Sequence, residues 1–150
     1  MIPVADPYGL TRFLEAQRHC YARVLEELAA GEKTSHWMWF VFPQLKGLGR
    51  SATARRFGLA GLEEARAYLA HPLLGDRLRE CTRLVLAVEG RTAHEIFGSP
   101  DDLKLRSCLT LFAAAAPVPA NPADRVFAAA LARYYGGEPD PLTVQLLASG

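Results

Sequence analysis

A chain of 150 residues with 50% hydrophobic content is long enough to bury one sizeable core, and this length is typical of a single domain. The net charge of +1 excludes a global field that would attract the whole surface to nucleic acid or to an anionic membrane, so any recognition of charge must be local. Three widely spaced cysteines without a C-x-x-C pattern indicate neither a disulfide framework nor a zinc site.

The N-terminus has no basic segment followed by an apolar one, and no stretch is long and apolar enough to cross a bilayer. The sequence therefore predicts a soluble cytoplasmic protein without a membrane partner. We predict one domain over residues 1–150, in which residues 1–8 form a loosely ordered N-terminal arm. No H-x-x-x-H pattern or cluster of carboxylates and histidines is present, so neither a metal site nor a cofactor is predicted.

The first predicted element is a helix over residues 10–28, because apolar residues recur there at helical spacing and Gly31 follows as a C-terminal stop. The short apolar run over residues 38–42 fits either a buried strand or one helical turn. Ser51 is placed to cap a helix that begins at Ala52. Two further helices follow, the first over residues 62–69 and the second ending at Gly90, with the proline break His71-Pro72 between them.

The segment Ser99-Pro100-Asp101-Asp102 predicts another helix start, in which Ser99 caps and Pro100 takes the first helical position. That helix is predicted to run to about Ala115, and residues 116–123 form an inter-helix loop. Asn-Pro and Asp-Pro pairs predict two more helix starts, at Pro122 and Pro141. The predicted class is all-α, a compact bundle of roughly six to eight helices, some of them short.

The first candidate site is the glycine turn GLGRS, which contains Gly47, Gly49, Arg50 and Ser51. Flexible glycines, free amides at a helix start and an arginine are what a phosphate or carboxylate group requires. Between Glu32 and the next acidic residue of the chain, Glu63, there are five basic residues and no carboxylate to compete. The alternative is an ordinary glycine turn whose arginines are solvated.

The second candidate site is the aromatic segment HWMWFVFPQ, residues 36–44. Core packing is the preferred interpretation for its rings at Trp37, Phe40 and Phe42. The polar or half-polar groups at its margins suit a pocket for a flat polar ligand, and they are His36, Trp39 and Gln44. A single histidine is more often structural than catalytic, although its unperturbed pKa suits proton transfer at neutral pH.

The third candidate site is the start of the helix after Pro100. Steps of three residues place Asp101, Lys104 and Ser107 along one face, beside Asp102. A carboxylate, an ammonium and a hydroxyl group would then converge on a ligand. The alternative is a pair of helix-dipole carboxylates with a surface ion pair.

Four segments resemble a bacterial family, the domain of unknown function numbered 1810, which is sometimes labelled calpastatin-like: SHWMWFVFPQLKGLGRS, EARAYLAHPLLGDRLRE, IFGSPDDLKLRSCLTLF and YYGGEPDPLTVQLL. The resemblance covers nearly the whole chain from Leu10. It implies a small, helical, cytosolic, single-domain protein and brings no established activity. Two departures, Cys108 after Ser107 and Leu109 where methionine is expected, are consistent with packing changes.

A second similarity lies in the order of a GLGR turn, a basic helix, the segment HPLLGDRLREC and the segment EIFGSPDD. This order is similar to the layout of the YbiA-like, NADAR-type helical proteins, which are linked to N-glycosidic cleavage of riboside phosphates and ADP-ribose-type groups. The similarity implies Arg50 as a phosphate contact and Asp101 or Asp102 as an acid near Phe97-Gly98.

The leading hypothesis is a small helical enzyme or enzyme-like protein that binds a phosphorylated nucleotide-like or ribose-like molecule. The reaction considered is hydrolysis of an N-glycoside or an ADP-ribose-type group. The phosphate would lie on the glycine turn, a flat ring would pack on Trp39 or Trp37, and polar or proton-transfer chemistry would come from His36, Gln44, Asp101 and Lys104. The alternative is a non-catalytic module that binds a protein or peptide through an exposed aromatic groove. Nucleic-acid binding through the basic stretch is less favoured, because a net charge of +1 neutralises few phosphates elsewhere.

Overall fold

The protein, described here in a computed structural model over residues 6–117 and 121–149, is built from helices. This part of the chain forms ten α-helices and no strand, and seven of the helices have seven or more residues. They are α1 (Thr11–Gln17), α2 (Tyr21–Ala30), α3 (Met38–Val41), α4 (Ala52–Phe57), α5 (Leu62–Ala70), α6 (Pro72–Ala87), α7 (Ala93–Phe97), α8 (Asp101–Ala115), α9 (Arg125–Tyr135) and α10 (Pro141–Ser149). The all-α prediction is confirmed, with slightly more helices than expected.

The core lies where α5, α6, α8 and α9 pack against one another. Phe112 of α8 is central to it, with its ring centroid 5.5 Å from that of Tyr68 on α5 and 5.8 Å from that of Phe127 on α9. Tilted aromatic contacts of this kind add to the free energy of burial. The remaining helices cover this group: α2 packs on α6, whereas α7 and α10 pack on α8. None of the helices in the described part of the chain combines the length and apolar character needed to cross a membrane.

The predicted helix over residues 10–28 is wrong in one respect, because the structure divides it into α1 and α2. Gln17 ends α1 with a buried side chain, whose amide nitrogen donates to Phe40 O at 2.7 Å and to Tyr68 Oη at 3.2 Å. These bonds hold α1 against α3, whereas α2 has to face α6. The chain therefore turns between the two helices without a glycine or proline to mark the turn.

The predicted cap at Ser99 is also wrong. Pro100 is the residue before α8 and the helix begins at Asp101, one residue later than predicted. The Asp102 amide donates to Gly98 O at 2.9 Å, and the Leu103 amide is 2.9 Å from the Asp102 carboxylate. Because Gly98 turns the chain with a φ of +74°, its carbonyl supplies what the Ser99 hydroxyl was expected to supply.

Other local predictions are confirmed. Residues 38–42 contain a helical turn, α3, and not a strand. Gly31 ends α2 in the left-handed conformation, with a φ of +72°. Asp140 caps α10, because its carboxylate accepts from the Thr143 amide at 3.0 Å. Residues 118–120 of the predicted loop and residues 1–5 of the predicted arm lie outside the described residues.

One backbone bridge positions the glycine turn. The Lys46 amide donates to Leu59 O at 2.8 Å, and the Leu59 amide donates to Gln44 O at 2.9 Å. This single parallel bridge closes the chain into a loop that contains both the glycine turn and α4. Gly58 permits the close approach, since a Cβ atom there would lie 2.4 Å from Lys46 Cα.

Candidate functional site

A groove of about 510 Å³ separates the glycine turn from α8. Its first wall comes from the segment before α4 and from α4 itself, with Gln44, Leu48, Gly49, Arg50, Ser51 and Ala54. Its second wall comes from α8 and the start of α10, with Pro100, Leu103, Lys104, Arg106, Ser107, Asp140 and Leu142. The fold therefore brings the glycine turn and the first turns of α8 to opposite sides of one concave surface, and Gln44 of the aromatic segment lies on the glycine-turn side.

The glycine turn has the local geometry that its sequence predicts. The Ser51 hydroxyl accepts from the Ala54 amide at 3.0 Å, which confirms Ser51 as the cap of α4. Gly49 is required for packing, because a Cβ atom there would lie 2.4 Å from Ala54 Cβ. The Arg50 side chain is exposed and makes no ion pair with any described residue. Only its carbonyl is engaged, by the Arg55 guanidinium at 2.7 Å.

Asp101 lies between two lysines. Its Oδ2 atom is 2.8 Å from Lys33 Nζ, and its Oδ1 atom is 3.7 Å from Lys104 Nζ. Lys33 is the more buried partner, with 7% of its side chain exposed, and its ammonium also donates to Ser35 O at 2.6 Å. The carboxylate is therefore neutralised mainly by Lys33, and Lys104 is the looser partner.

Each of these lysines covers one tryptophan. Lys33 Nζ lies 5.0 Å from the ring centroid of Trp37, and Lys104 Nζ lies 5.0 Å from that of Trp39. Trp39 and Lys104 line a depression beside the groove, which shares Gln44, Ala54 and Lys104 with it. About 10 Å³ of free volume remains in this depression, roughly the space of one water molecule. A depression of this size does not hold a ligand ring beside Trp39.

Trp37 lies in the core and not in the groove. It is 1% exposed, and its indole nitrogen donates to Glu27 Oε1 at 2.9 Å. The same oxygen accepts from the amides of Thr34 and Ser35, at 2.7 and 3.0 Å. Burial alone would raise the pKa of Glu27, but the bonds from Ser35, Thr34 and Trp37 outweigh it and lower the pKa to about 2. Glu27 is thus an ionised group that holds the loop between α2 and α3 through these hydrogen bonds.

The other two rings that were predicted as core, those of Phe40 and Phe42, differ in how deeply they are buried. Phe42 is buried, with its ring centroid 6.2 Å from that of Trp37. Phe40 is half-buried against Phe57, at 5.4 Å. The peptide-binding alternative predicted an exposed tryptophan, whereas Trp37 is buried and Trp39 is half-buried.

Ser107 and Asp102 have structural partners. The Ser107 hydroxyl donates to Asp140 Oδ2 at 3.1 Å, which ties α8 to the cap of α10. Asp102 is half-buried outside the groove, and its Oδ2 atom is 3.4 Å from His94 Nδ1. The structure therefore gives the adjacent carboxylates of Asp101 and Asp102 different partners, two lysines for Asp101 and the His94 ring for Asp102.

His36 is exposed, and the groove lining among the described residues includes neither His36 nor Asp101. The two segments nevertheless meet through Lys33, which contacts both Ser35 O and the Asp101 carboxylate. The predicted residues that do line the groove or its adjoining depression are Trp39, Gln44, Gly49, Arg50, Ser51, Lys104 and Ser107. Gly47 lies in a separate hollow, against Leu146.

The family of the chain follows from comparison with known proteins. A family model described as "Protein of unknown function (DUF1810)" matches residues 7–147. The chain belongs to this family. The resemblance drawn from the four sequence segments is confirmed, whereas the similarity to the YbiA-like proteins has no support among these comparisons. No curated protein matches the sequence.

A solved structure of similar sequence has the same fold. The crystal structure of the conserved hypothetical protein Rv1873 from Mycobacterium tuberculosis is 59% identical to this DUF1810 member, with a TM-score of 0.90. The match covers 95% of this chain and 99% of that chain. The arrangement of helices around the groove is thus common to a bacterial relative.

Three charged residues in or next to the groove of this DUF1810 member were not among the predicted site residues. Asp140 was recognised only as a helix start, and its second role, as acceptor for Ser107, depends on tertiary packing. Arg106 lines the groove while its guanidinium donates to Glu138 O at 3.0 Å. Lys33 belongs to the acid-free stretch, but no sequence signal pairs it with Asp101, which lies 68 positions later in the numbering.

Proposed function

We propose that this protein binds a small phosphorylated molecule, derived from a nucleotide or a ribose, in the groove between the glycine turn and α8. The observation that carries the proposal is that Arg50 and Lys104 line the same groove from opposite walls. Its volume of about 510 Å³ falls within the range of sites that take small ligands. Arg50 has no ion pair to break among the described residues, so its guanidinium is available for a bidentate phosphate contact.

Lys104 supplies the second contact and also controls access to Trp39. Its 3.7 Å pairing with Asp101 is loose, and Asp101 keeps Lys33 at 2.8 Å when Lys104 moves. An ammonium that turns towards a phosphate uncovers the Trp39 ring, and a flat base or sugar-linked ring takes its place. Gln44, which lines both the groove and the depression, offers an amide to the polar edge of that ring.

The proposal concerns binding. Hydrolysis of an N-glycoside or an ADP-ribose-type group requires an acid or base at the scissile bond. Neither His36 nor Asp101 is among the described residues that line the groove, so the hydrolase remains a prediction from the sequence alone.

The test is a thermal-shift titration with ADP, ADP-ribose, ribose 5-phosphate and inorganic phosphate. A ligand at about 100 times its Kd is expected to raise the Tm by roughly 5–10 °C. Arg50→Ala and Lys104→Met should each abolish most of the shift. Arg23→Ala, on the exposed face of α2, is the matched control and should retain it. The absence of a shift with every ligand, or an equal shift in all variants, would contradict the proposal.

Tryptophan emission tests the movement of Lys104. A ligand that replaces the ammonium on Trp39 changes the environment of that indole but not of the buried Trp37. Titration should therefore change the emission of the wild-type protein and of Trp37→Phe, and leave that of Trp39→Phe unchanged. A response that persists in Trp39→Phe would place the ligand elsewhere.

A further inference from the structure

Two cations that line the groove have the longest ion pairs among the described residues. Lys104 Nζ is 3.7 Å from Asp101 Oδ1, and Arg106 Nη2 is 3.6 Å from Glu138 Oε2. For comparison, Lys33 Nζ is 2.8 Å from Asp101 Oδ2. Each of the two groove side chains is 24% exposed, and partly exposed pairs at such distances contribute little to stability. Both cations can therefore leave their partners for an anionic ligand.

The carboxylates of these two pairs are stable without the groove cations. Asp101 keeps Lys33 at 2.8 Å, and Glu138 is 82% exposed, so water solvates its charge. The Arg106 side chain also has a fixed point, because its Nε atom donates to Glu138 O at 3.0 Å. A guanidinium that is held at Nε still has the donors of its two terminal nitrogens for a ligand.

Lys104 and Arg106 lie on opposite sides of the α8 surface that lines the groove. Leu103 and Ser107, four positions apart, form the stripe in the middle of this surface. At about 100° per residue, Lys104 follows Leu103 on one side of the stripe, and Arg106 precedes Ser107 on the other. Arg50 lines the opposite wall and makes no ion pair with any described residue. The groove cations thus mark two positions for an anionic group.

The carboxylate in the groove lining is already engaged by other donors. Asp140 Oδ2 accepts from the Ser107 hydroxyl at 3.1 Å and from the Thr143 amide at 3.0 Å. These donors offset part of its negative charge and direct it towards α10. Asp140 therefore opposes an anionic ligand less than a free carboxylate would.

We propose that the ligand of the groove carries two phosphate groups, one held by Lys104 and the other by Arg106, with Arg50 facing them from the opposite wall. This inference rests on the proposed function, because it specifies the ligand of the same groove. A ligand with one phosphate leaves one of the two positions to water. A ligand with two phosphates fills both, and each contact between a cation and a phosphate adds binding free energy.

The test is isothermal titration calorimetry with AMP, ADP and adenosine 3′,5′-bisphosphate, which share one nucleoside and differ in their phosphate groups. A second phosphate held by a guanidinium should lower the Kd about tenfold relative to AMP. A gain with ADP indicates adjacent phosphates, and a gain with the bisphosphate indicates separated ones. Arg106→Met should remove this gain and leave the Kd of AMP nearly unchanged.

The ratio of two Kd values measured on one variant is independent of any loss of folded protein, so it separates binding from stability. Arg23→Met, at an exposed position of α2, is the matched control and should keep the wild-type ratio. Glu138→Gln removes the carboxylate that competes for Arg106 and should keep or raise the ratio. AMP binding as tight as that of both other nucleotides, or a gain that survives in Arg106→Met, overturns this inference and leaves the proposed function standing. If none of the three nucleotides binds, the proposed function fails as well.

Discussion

The indole nitrogen of Trp37 donates a 2.9 Å hydrogen bond to the carboxylate of Glu27, ten residues earlier in the chain. The same carboxylate oxygen holds the amides of Thr34 and Ser35, so one charged group orders the loop between α2 and α3. Lys33 in this loop then reaches Asp101 at the start of α8. The position of Asp101, and with it the partner left to Lys104, therefore depends on a carboxylate outside the groove.

Glu27→Gln should destabilise the protein in a pH-dependent manner. The pKa of Glu27 is lowered from 4.5 to about 2, so the ionised carboxylate stabilises the fold above pH 4.5 and this contribution is lost as the pH falls towards 2. The variant should lose about 2 kcal/mol of unfolding free energy at pH 7. Urea unfolding at several pH values should show the difference shrinking below pH 4.5. Glu26→Gln, at an exposed position of α2, is the control and should unfold like the wild type at each of these pH values.

Lys33→Met should cost about 2 kcal/mol of unfolding free energy, because it removes the closer partner of a partly buried carboxylate and leaves the looser Lys104. Chemical denaturation measures this loss. The double variant Lys33→Met/Asp101→Asn should lose less than the sum of the two single variants, since it leaves no unpaired charge. Lys46→Met, at an exposed position, is the comparison. An equal effect of both methionine substitutions would show that the ion pair contributes nothing.

Gly49→Ala should destabilise the glycine turn by about 2 kcal/mol, the usual cost of forcing extra atoms into a packed site. The new Cβ atom would lie 2.4 Å from Ala54 Cβ. In an Ala54→Gly background that clash is absent, so the same substitution should cost much less there. A double-mutant cycle of melting temperatures measures the coupling. Additive effects would refute the steric explanation.

Ser107→Ala should lower the unfolding free energy by about 1 kcal/mol, because it removes the hydrogen bond between α8 and Asp140. It should leave the ligand-induced thermal shift intact, since the hydroxyl is already engaged by Asp140 and by Leu103 O. The two measurements come from one melting series with and without ligand. A variant of normal stability that loses the ligand shift would instead make Ser107 a ligand contact.

Local sequence signals predicted most helix ends, because caps and stops act within one turn of the helix. Gly31, His71-Pro72 and Asp140-Pro141 mark boundaries that the structure retains. The division between α1 and α2 had no such signal, since it follows from bonds between Gln17 and residues in α3 and α5. The short helix α7 was missed, although Thr92 and Glu95 form the capping box that marks its start.

The same distinction between local sequence signals and long-range packing applies to the candidate site. Local sequence signals were sufficient to predict the helical class, the capped glycine turn with its uncompensated basic charge, and the family. Which tryptophan lies beside the groove depends instead on packing: Trp37 and Trp39 are two residues apart, yet one is bonded to Glu27 in the core and the other lies under Lys104 in the depression next to the groove. Residues two positions apart on a helical turn point in different directions, and what each meets is set by distant segments of the chain. Capping and periodicity are local properties, whereas the pairing of Lys33 with Asp101 and the exposure of α10 arise only when remote helices pack.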